Sequence, residues 1–234
     1  MKEKSKLSSN DYLIYLSVVY VVIAVTMNIF CMKSLSFGTS YILCDAGLLI
    51  SWGVFLISNV IVEVWGEKEC VKIVTFATVV TFIIMLIARM IVFIPTLPEY
   101  EEQADAFARI FSNGPRTIVS SVIAFWVGNV INAHIIIRIK NAIPKEKDNR
   151  AWFLFRAIFS TLLGQLVDNA IFMVLAFAPL GLSLYEMAWK DILSSVLSGT
   201  VIELVVESCL VPFITIPLTA KITRVKQKEL ECAH

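Results

Sequence analysis

The chain has 234 residues, is 58% hydrophobic with a mean hydropathy of +0.79, and carries only 17% charged residues. A soluble domain of this size has too little interior to hide that much apolar surface, so the composition excludes an ordinary globular protein and predicts one embedded in a lipid bilayer. The formal net charge of +1, with basic residues set between apolar runs rather than gathered in a patch, gives no basis for a nucleic-acid partner.

The apolar runs are continuous rather than alternating, and several reach the ~20 residues a helix needs to cross a bilayer. They predict an all-α membrane protein, a six-transmembrane helix bundle forming one polytopic membrane domain over residues 1–234. The spans read as Tyr12 to Met32, Tyr41 to Trp65, Val71 to Ile94, Thr117 to Ile137, Phe153 to Ala178 and Ile192 to Leu218. The basic residues of the connections divide unequally. Lys2, Lys68, Lys72, Arg138, Lys140, Arg150, Arg156, Lys221, Lys226 and their neighbours fall on one side, and only Lys33, Arg109, Arg116 and Lys190 on the other. By the positive-inside rule both termini are expected in the cytoplasm. No cleavable leader is read ahead of the first span.

Cys31, Cys44, Cys70, Cys209 and Cys232 are scattered and form no Cys-x-x-Cys pair; they read as reduced thiols filling space between helices. The connection after the third span, Pro95 to Glu102, is acidic and expected to be external. Ala104, Phe107, Ala108 and Phe111 follow at a spacing that suits a short amphipathic helix on the outer surface.

Polar groups inside the spans point to function. Asn59 and Glu63 lie four apart in the second span, on one helical face. The fourth span carries Gly128-Asn129-Val130-Ile131-Asn132-Ala133-His134 and the fifth Gly164-Gln165-Leu166-Val167-Asp168-Asn169, with the shared order glycine, amide, two aliphatics, then Asn or Asp. Two antiparallel neighbours bring these segments together near mid-membrane. The sixth span adds Glu203 and Glu207, again four apart, followed by Pro212 and Pro217. A charged side chain at mid-helix costs at least ~2.5–3.5 kcal/mol in lipid, so such residues face the bundle interior and default to function. Glu63, Asp168, Glu203 and Glu207 outnumber the one cation read within the spans, Arg89. Glu63 stands near the cytoplasmic end, where Lys68 or Lys72 is expected to pair with it, and His134 reads as a hydrogen-bonded structural histidine.

Enzyme signatures are missing. There is no His-Glu-x-x-His or Gly-x-Ser-x-Gly, the histidines number two, and Asp168 has no second deep aspartate to form a protease dyad. No cofactor or metal is expected. A cavity lined by amides, carboxylates and aromatics such as Trp52, Trp126 and Phe172 suits a small, planar, polar solute.

Ser58 to Lys68, ending Glu-Val-Trp-Gly-Glu-Lys, the helix Gly128 to Lys140, and the helix Gly164 to Phe177 with Asp168 resemble the YhhQ-like (VUT) family of queuosine precursor transporters. The resemblance implies import across the cell membrane of a 7-deazaguanine such as preQ0, preQ1 or queuine, for salvage into transfer RNA modification. Two departures stand out. The family usually has Asp where this chain has Asn59, and often a Lys in its last span, where this chain has Glu203 and Glu207. More acid and less base favours a cationic solute, preQ1 or queuine, over neutral preQ0.

The expected solute site lies between spans two, four, five and six. Asp168 or Glu207 accepts paired N–H donors, with Glu203 nearby; Asn59, Asn129, Asn132, Gln165 and Asn169 supply amides, and Trp126 or Phe172 stacks on the ring. Alternatives are transport of another vitamin or nucleobase, with or without a partner ATPase, and a non-transporting membrane scaffold or enzyme.

Overall fold

The computed structural model describes residues 7–31, 33–36, 43–111, 115–144, 148–181 and 186–232. The helices are α1 (Ser9–Phe30), α2 (Leu48–Trp65), α3 (Glu67–Ile91), α4 (Glu101–Phe111), α5 (Pro115–Ala142), α6 (Arg150–Phe177), α7 (Trp189–Leu210) and α8 (Thr215–Cys232). Two short strands, β1 (Ser34–Ser36) and β2 (Leu43–Asp45), pair antiparallel between α1 and α2 with Leu35 opposite Cys44. Six helices, α1, α2, α3, α5, α6 and α7, are long and apolar enough to cross a membrane, so the fold is an all-α polytopic bundle.

Local chemistry sets the helix ends. A capping box starts α1: Ser8 Oγ accepts from Asp11 N at 3.1 Å, and Asp11 Oδ2 accepts from Ser8 N at 2.8 Å. Between α2 and α3 a single residue, Gly66, turns the chain at φ 92° and ψ 171°, a region essentially closed to residues with a Cβ. The Trp-Gly-Glu step is therefore a one-residue corner that folds α3 back along α2.

Two expected spans end elsewhere. The second does not begin near Tyr41, which lies outside the described residues; Leu43–Asp45 is strand, and α2 starts only after Gly47. The sixth does not run on to Leu218. It stops at Leu210, residues 211–214 form a turn, and α8 departs as a separate helix. Pro212 lacks the N–H that would continue α7, while Pro217 falls in the first turn of α8, where a missing N–H costs nothing. The acidic connection does contain the expected amphipathic helix, α4, with no fully buried residue.

A buried cluster including Tyr20, Ala24, Val54, Ile61, Val74, Ala77, Phe125 and Ala133 joins α1, α2, α3 and α5. Outward faces are apolar too, with Val18, Val22, Phe76, Ile83, Ile87, Leu197, Val201 and Val205 exposed. That inversion of the soluble pattern fits a hydrocarbon surround. Helices α5 and α6 approach closely. A Cβ on Gly128 would sit 2.7 Å from Asp168 Cβ and 2.8 Å from Gly164 O, and one on Gly164 would sit 2.9 Å from both Asn132 Cβ and Gly128 O. The two glycines let the backbones touch where the matching polar segments lie.

One end of the bundle is tied by charge. Arg156, 2% exposed, donates to Glu63 from Nε at 3.2 Å and Nη2 at 2.9 Å, and to Asp148 from Nη1 at 2.6 Å. Lys140 Nζ lies 2.9 Å from Glu63 Oε1 and donates to Glu63 O at 3.1 Å, and Lys226 Nζ donates to Val64 O at 2.8 Å. These cations gather on the carbonyl end of α2, where its dipole is negative. Ser9 N donates to Glu229 Oε1 at 2.9 Å, so both ends of the described chain meet at this end. The distribution of Lys and Arg is what leads the sequence to expect this end in the cytoplasm. Glu63 thus pairs with Arg156 and Lys140 rather than Lys68 or Lys72, and Arg156 joins Arg89 as a cation within a spanning helix. His134 Nδ1 lies 3.0 Å from Glu67 Oε1, and its Nε2 accepts from Arg138 Nε at 3.1 Å.

Candidate functional site

At the opposite half of the bundle a hollow of about 100 Å³ opens among α1, α2, α5, α6 and α7. Its polar wall is Asn28, Ser51, Ser121, Asp168, Asn169 and Glu203; its apolar wall is Met27, Leu48, Phe125 and Phe172, with Cys31 and Gly47 also at the lining. Larger grooves exist on the outside, but their walls are almost wholly aliphatic, for example Val22, Ile23, Ile50 and Leu56. They lack the convergent polar groups that orient a polar solute.

Helical spacing builds the polar wall. On α6, Thr161, Gln165 and Asn169 follow at intervals of four and so share a stripe, with Asp168 and Phe172 beside it. On α7, Glu203 and Glu207 share another. Asn169 links the two helices, its Nδ2 donating to Thr200 Oγ1 at 3.1 Å and to Glu203 Oε2 at 3.3 Å. Ser51 Oγ donates to Glu203 Oε1 from α2, and Ser121 Oγ donates to Asn28 Oδ1 at 2.6 Å from α5 to α1. Asp168 makes no hydrogen bond among the described residues, yet it lines the hollow near enough to Glu203 for their charges to interact. No cation is among the lining residues. The wall therefore presents acceptors and negative charge.

Deeper in the bundle lies a second polar centre. Glu207 accepts from Thr161 Oγ1 at 2.8 Å, Asn59 Nδ2 at 3.1 Å and Gln165 Nε2 at 3.3 Å, and Asn132 Nδ2 donates to Asn59 Oδ1 at 3.1 Å. All five residues are buried.

The candidates read from the sequence thus divide into groups. Asp168, Asn169, Phe172 and Glu203 line the hollow; Asn59, Asn132, Gln165 and Glu207 form the deeper centre. Asn129 is turned elsewhere: its Oδ1 accepts from Tyr20 OH at 3.0 Å and Ser58 Oγ at 3.3 Å, which makes it a tie among α1, α2 and α5. Trp126 does not line the hollow. It is 39% exposed on the outside of α5, its Nε1 donating to Thr75 Oγ1 at 3.0 Å, and its neighbour Phe125, one helical step round, supplies the inward ring. Trp52 likewise lines an outer apolar groove. The side chain of Cys44 lies outside the described residues.

Asn28, Ser121 and Thr161 stand outside the candidates that the sequence offers. Thr161 carried a usable signal, standing one turn before Gln165 on the same face. Asn28 and Ser121 are lone polar residues in apolar runs, and nothing local distinguishes them from residues that bond their own helix, as Asn28 Nδ2 also does with Ala24 O at 2.9 Å.

An apolar-coated bundle of six spanning helices around an acidic, partly polar hollow is the architecture of a membrane solute transporter. The family model described as "Putative vitamin uptake transporter" matches residues 45–216, well over half of the chain and every helix that lines the hollow except α1. The protein belongs to that family. Searches of curated proteins and of solved structures each return no match.

Proposed function

We propose that the protein imports a queuosine precursor, a 7-deazaguanine, across the cell membrane for salvage into transfer RNA modification. The observation that carries this reading is the Asp168 carboxylate, facing the hollow without a hydrogen-bond partner among the described residues, beside Glu203 and without a lining cation. Such a wall suits a solute that brings its own donors. The neighbouring ring and exocyclic N–H groups of a guanine-like edge match the two oxygens of one carboxylate. Asn169 stands next to that carboxylate, and Phe125 and Phe172 offer rings for the flat faces of the heterocycle. A second carboxylate at Glu203 favours solutes that also carry a positive charge, so preQ1 and queuine, with their amines, are expected ahead of preQ0.

The test is queuosine in transfer RNA of a salvage-dependent strain lacking its own transporter. The wild-type protein restores it, and Asp168→Ala, present in the membrane at normal level, does not. Wild-type queuosine with Asp168→Ala removes Asp168 from the site. The family description favours a second reading, another vitamin in the same hollow. It predicts no binding of preQ0, preQ1, queuine or guanine to the purified protein, and a copurifying ATPase if uptake is driven by a partner.

A further inference from the structure

The deeper centre around Glu207 has a chemistry that solute contact does not explain. Glu207 is 1% exposed and, among the described residues, its carboxylate is held by neutral donors alone, Thr161, Asn59 and Gln165. The network is short of a donor. Asn132 Oδ1 and Gln165 Oε1 are buried acceptor atoms with no partner among the described residues, each bearing the full cost of lost hydration.

Among the described residues no cation pairs with Glu207. The charged group facing it is Glu203, a like charge one turn away on α7. From the packed helices α2 and α6 it meets the uncharged Asn59, Thr161 and Gln165, and Asn132 of α5 reaches it through Asn59. Arg156, further along α6, is engaged by Glu63 and Asp148, and Lys226 of α8 by the Val64 carbonyl.

We propose that Glu207 is a proton-exchange site, loaded from the hollow through Glu203, that couples solute movement to a proton gradient. A proton from water in the hollow passes to the Glu203 carboxylate and from there to Glu207 Oε2, forming an O–H bond and cancelling the buried charge. Oε2 then donates where it had accepted. Half a turn of the Gln165 amide brings Oε1, which lacked a partner, to accept the added hydrogen, while Nε2 gives up its bond to the carboxylate. Deprotonation toward water reverses the turn.

The coupling rests on the transport reading, but the site itself is testable without solute. The experiment is infrared difference spectroscopy of the full chain in lipid nanodiscs, titrated with pH in H2O and D2O. The expected result is a carboxylic-acid carbonyl band that titrates, shifts in D2O, disappears in Glu207→Gln and persists in Glu203→Gln. In Gln165→Leu, which keeps Glu207 but removes its hydrogen-bond acceptor, the band moves to higher frequency. That variant decides the matter if Glu207→Gln does not fold. The absence of a Glu207-dependent band at every pH, or an unmoved band in Gln165→Leu, overturns the site. In proteoliposomes, queuine then drives proton entry with the wild-type protein; queuine entry without proton movement overturns the coupling. Failure of queuine to bind would leave the infrared titration intact, and so would count against the solute alone.

Discussion

Gly128 and Gly164 show how little room the polar centre has. A methyl group at Gly128 meets Asp168 Cβ at 2.7 Å and the Gly164 carbonyl at 2.8 Å, and a backbone oxygen has no rotamer with which to withdraw. Gly128→Ala must part α5 from α6 and is expected to cost about 1–3 kcal/mol, the range for overpacking. Gly199→Ala is the control: its nearest foreign atom is Asn169 Nδ2 at 3.7 Å, an ordinary contact. Thermal unfolding in detergent should show a lowered midpoint for Gly128→Ala and none of comparable size for Gly199→Ala. Equal midpoints would mean that the helices yield freely there. The pairing of these two segments was legible in the sequence, because glycine followed by an amide and then a second polar residue recurs in both helices. Their inward rings were not. Helix α5 is apolar on most of its circumference, so its sequence carries no phase that would turn Phe125 in and Trp126 out.

Among the elements, the carbonyl end of α2 is the joint of the bundle. Glu63 on α2 receives Arg156 from α6 and Lys140 from α5, while Lys226 from α8 caps the Val64 carbonyl. Removing one partner of a buried ion pair costs about 3–5 kcal/mol because the other is left uncompensated. Lys140 stays with Glu63, so Arg156→Ala should fall at the lower end of that range, read as a drop in unfolding midpoint. Lys72→Ala breaks only an exposed pair with Glu69, which contributes about 0–1 kcal/mol, and should leave the midpoint nearly unchanged. A sequence reading finds Glu63 and the basic loop, but it pairs charges with near neighbours. Arg156 lies 93 positions away, and only the antiparallel return of α6 brings it in. The same limit hid the end of α7: Pro212 marks a break in an apolar run, yet whether the chain resumes as the same helix or turns off as α8 depends on what α2 offers it to pack against.

At the scale of the whole molecule, one end is drawn together by ion pairs while the other half opens into an acidic hollow. An alternating-access carrier closed on one side has this form. If the basic end faces the cytoplasm, as the positive-inside rule places it, the hollow faces outward and receives solute before the Glu63 cluster parts. The proposed import of a cation-bearing heterocycle accords with the lack of lysine after Lys190 on the last spanning helix.

The central claim is that the Asp168 carboxylate receives the donors of a 7-deazaguanine, and calorimetric titration of queuine into purified protein tests it most directly. Hydrogen bonds to a charged group contribute about 1.5–3 kcal/mol, so wild-type protein should bind saturably and Asp168→Asn about tenfold or more weakly. Equal affinity in the two proteins, or no binding of queuine to the wild type, would contradict the account.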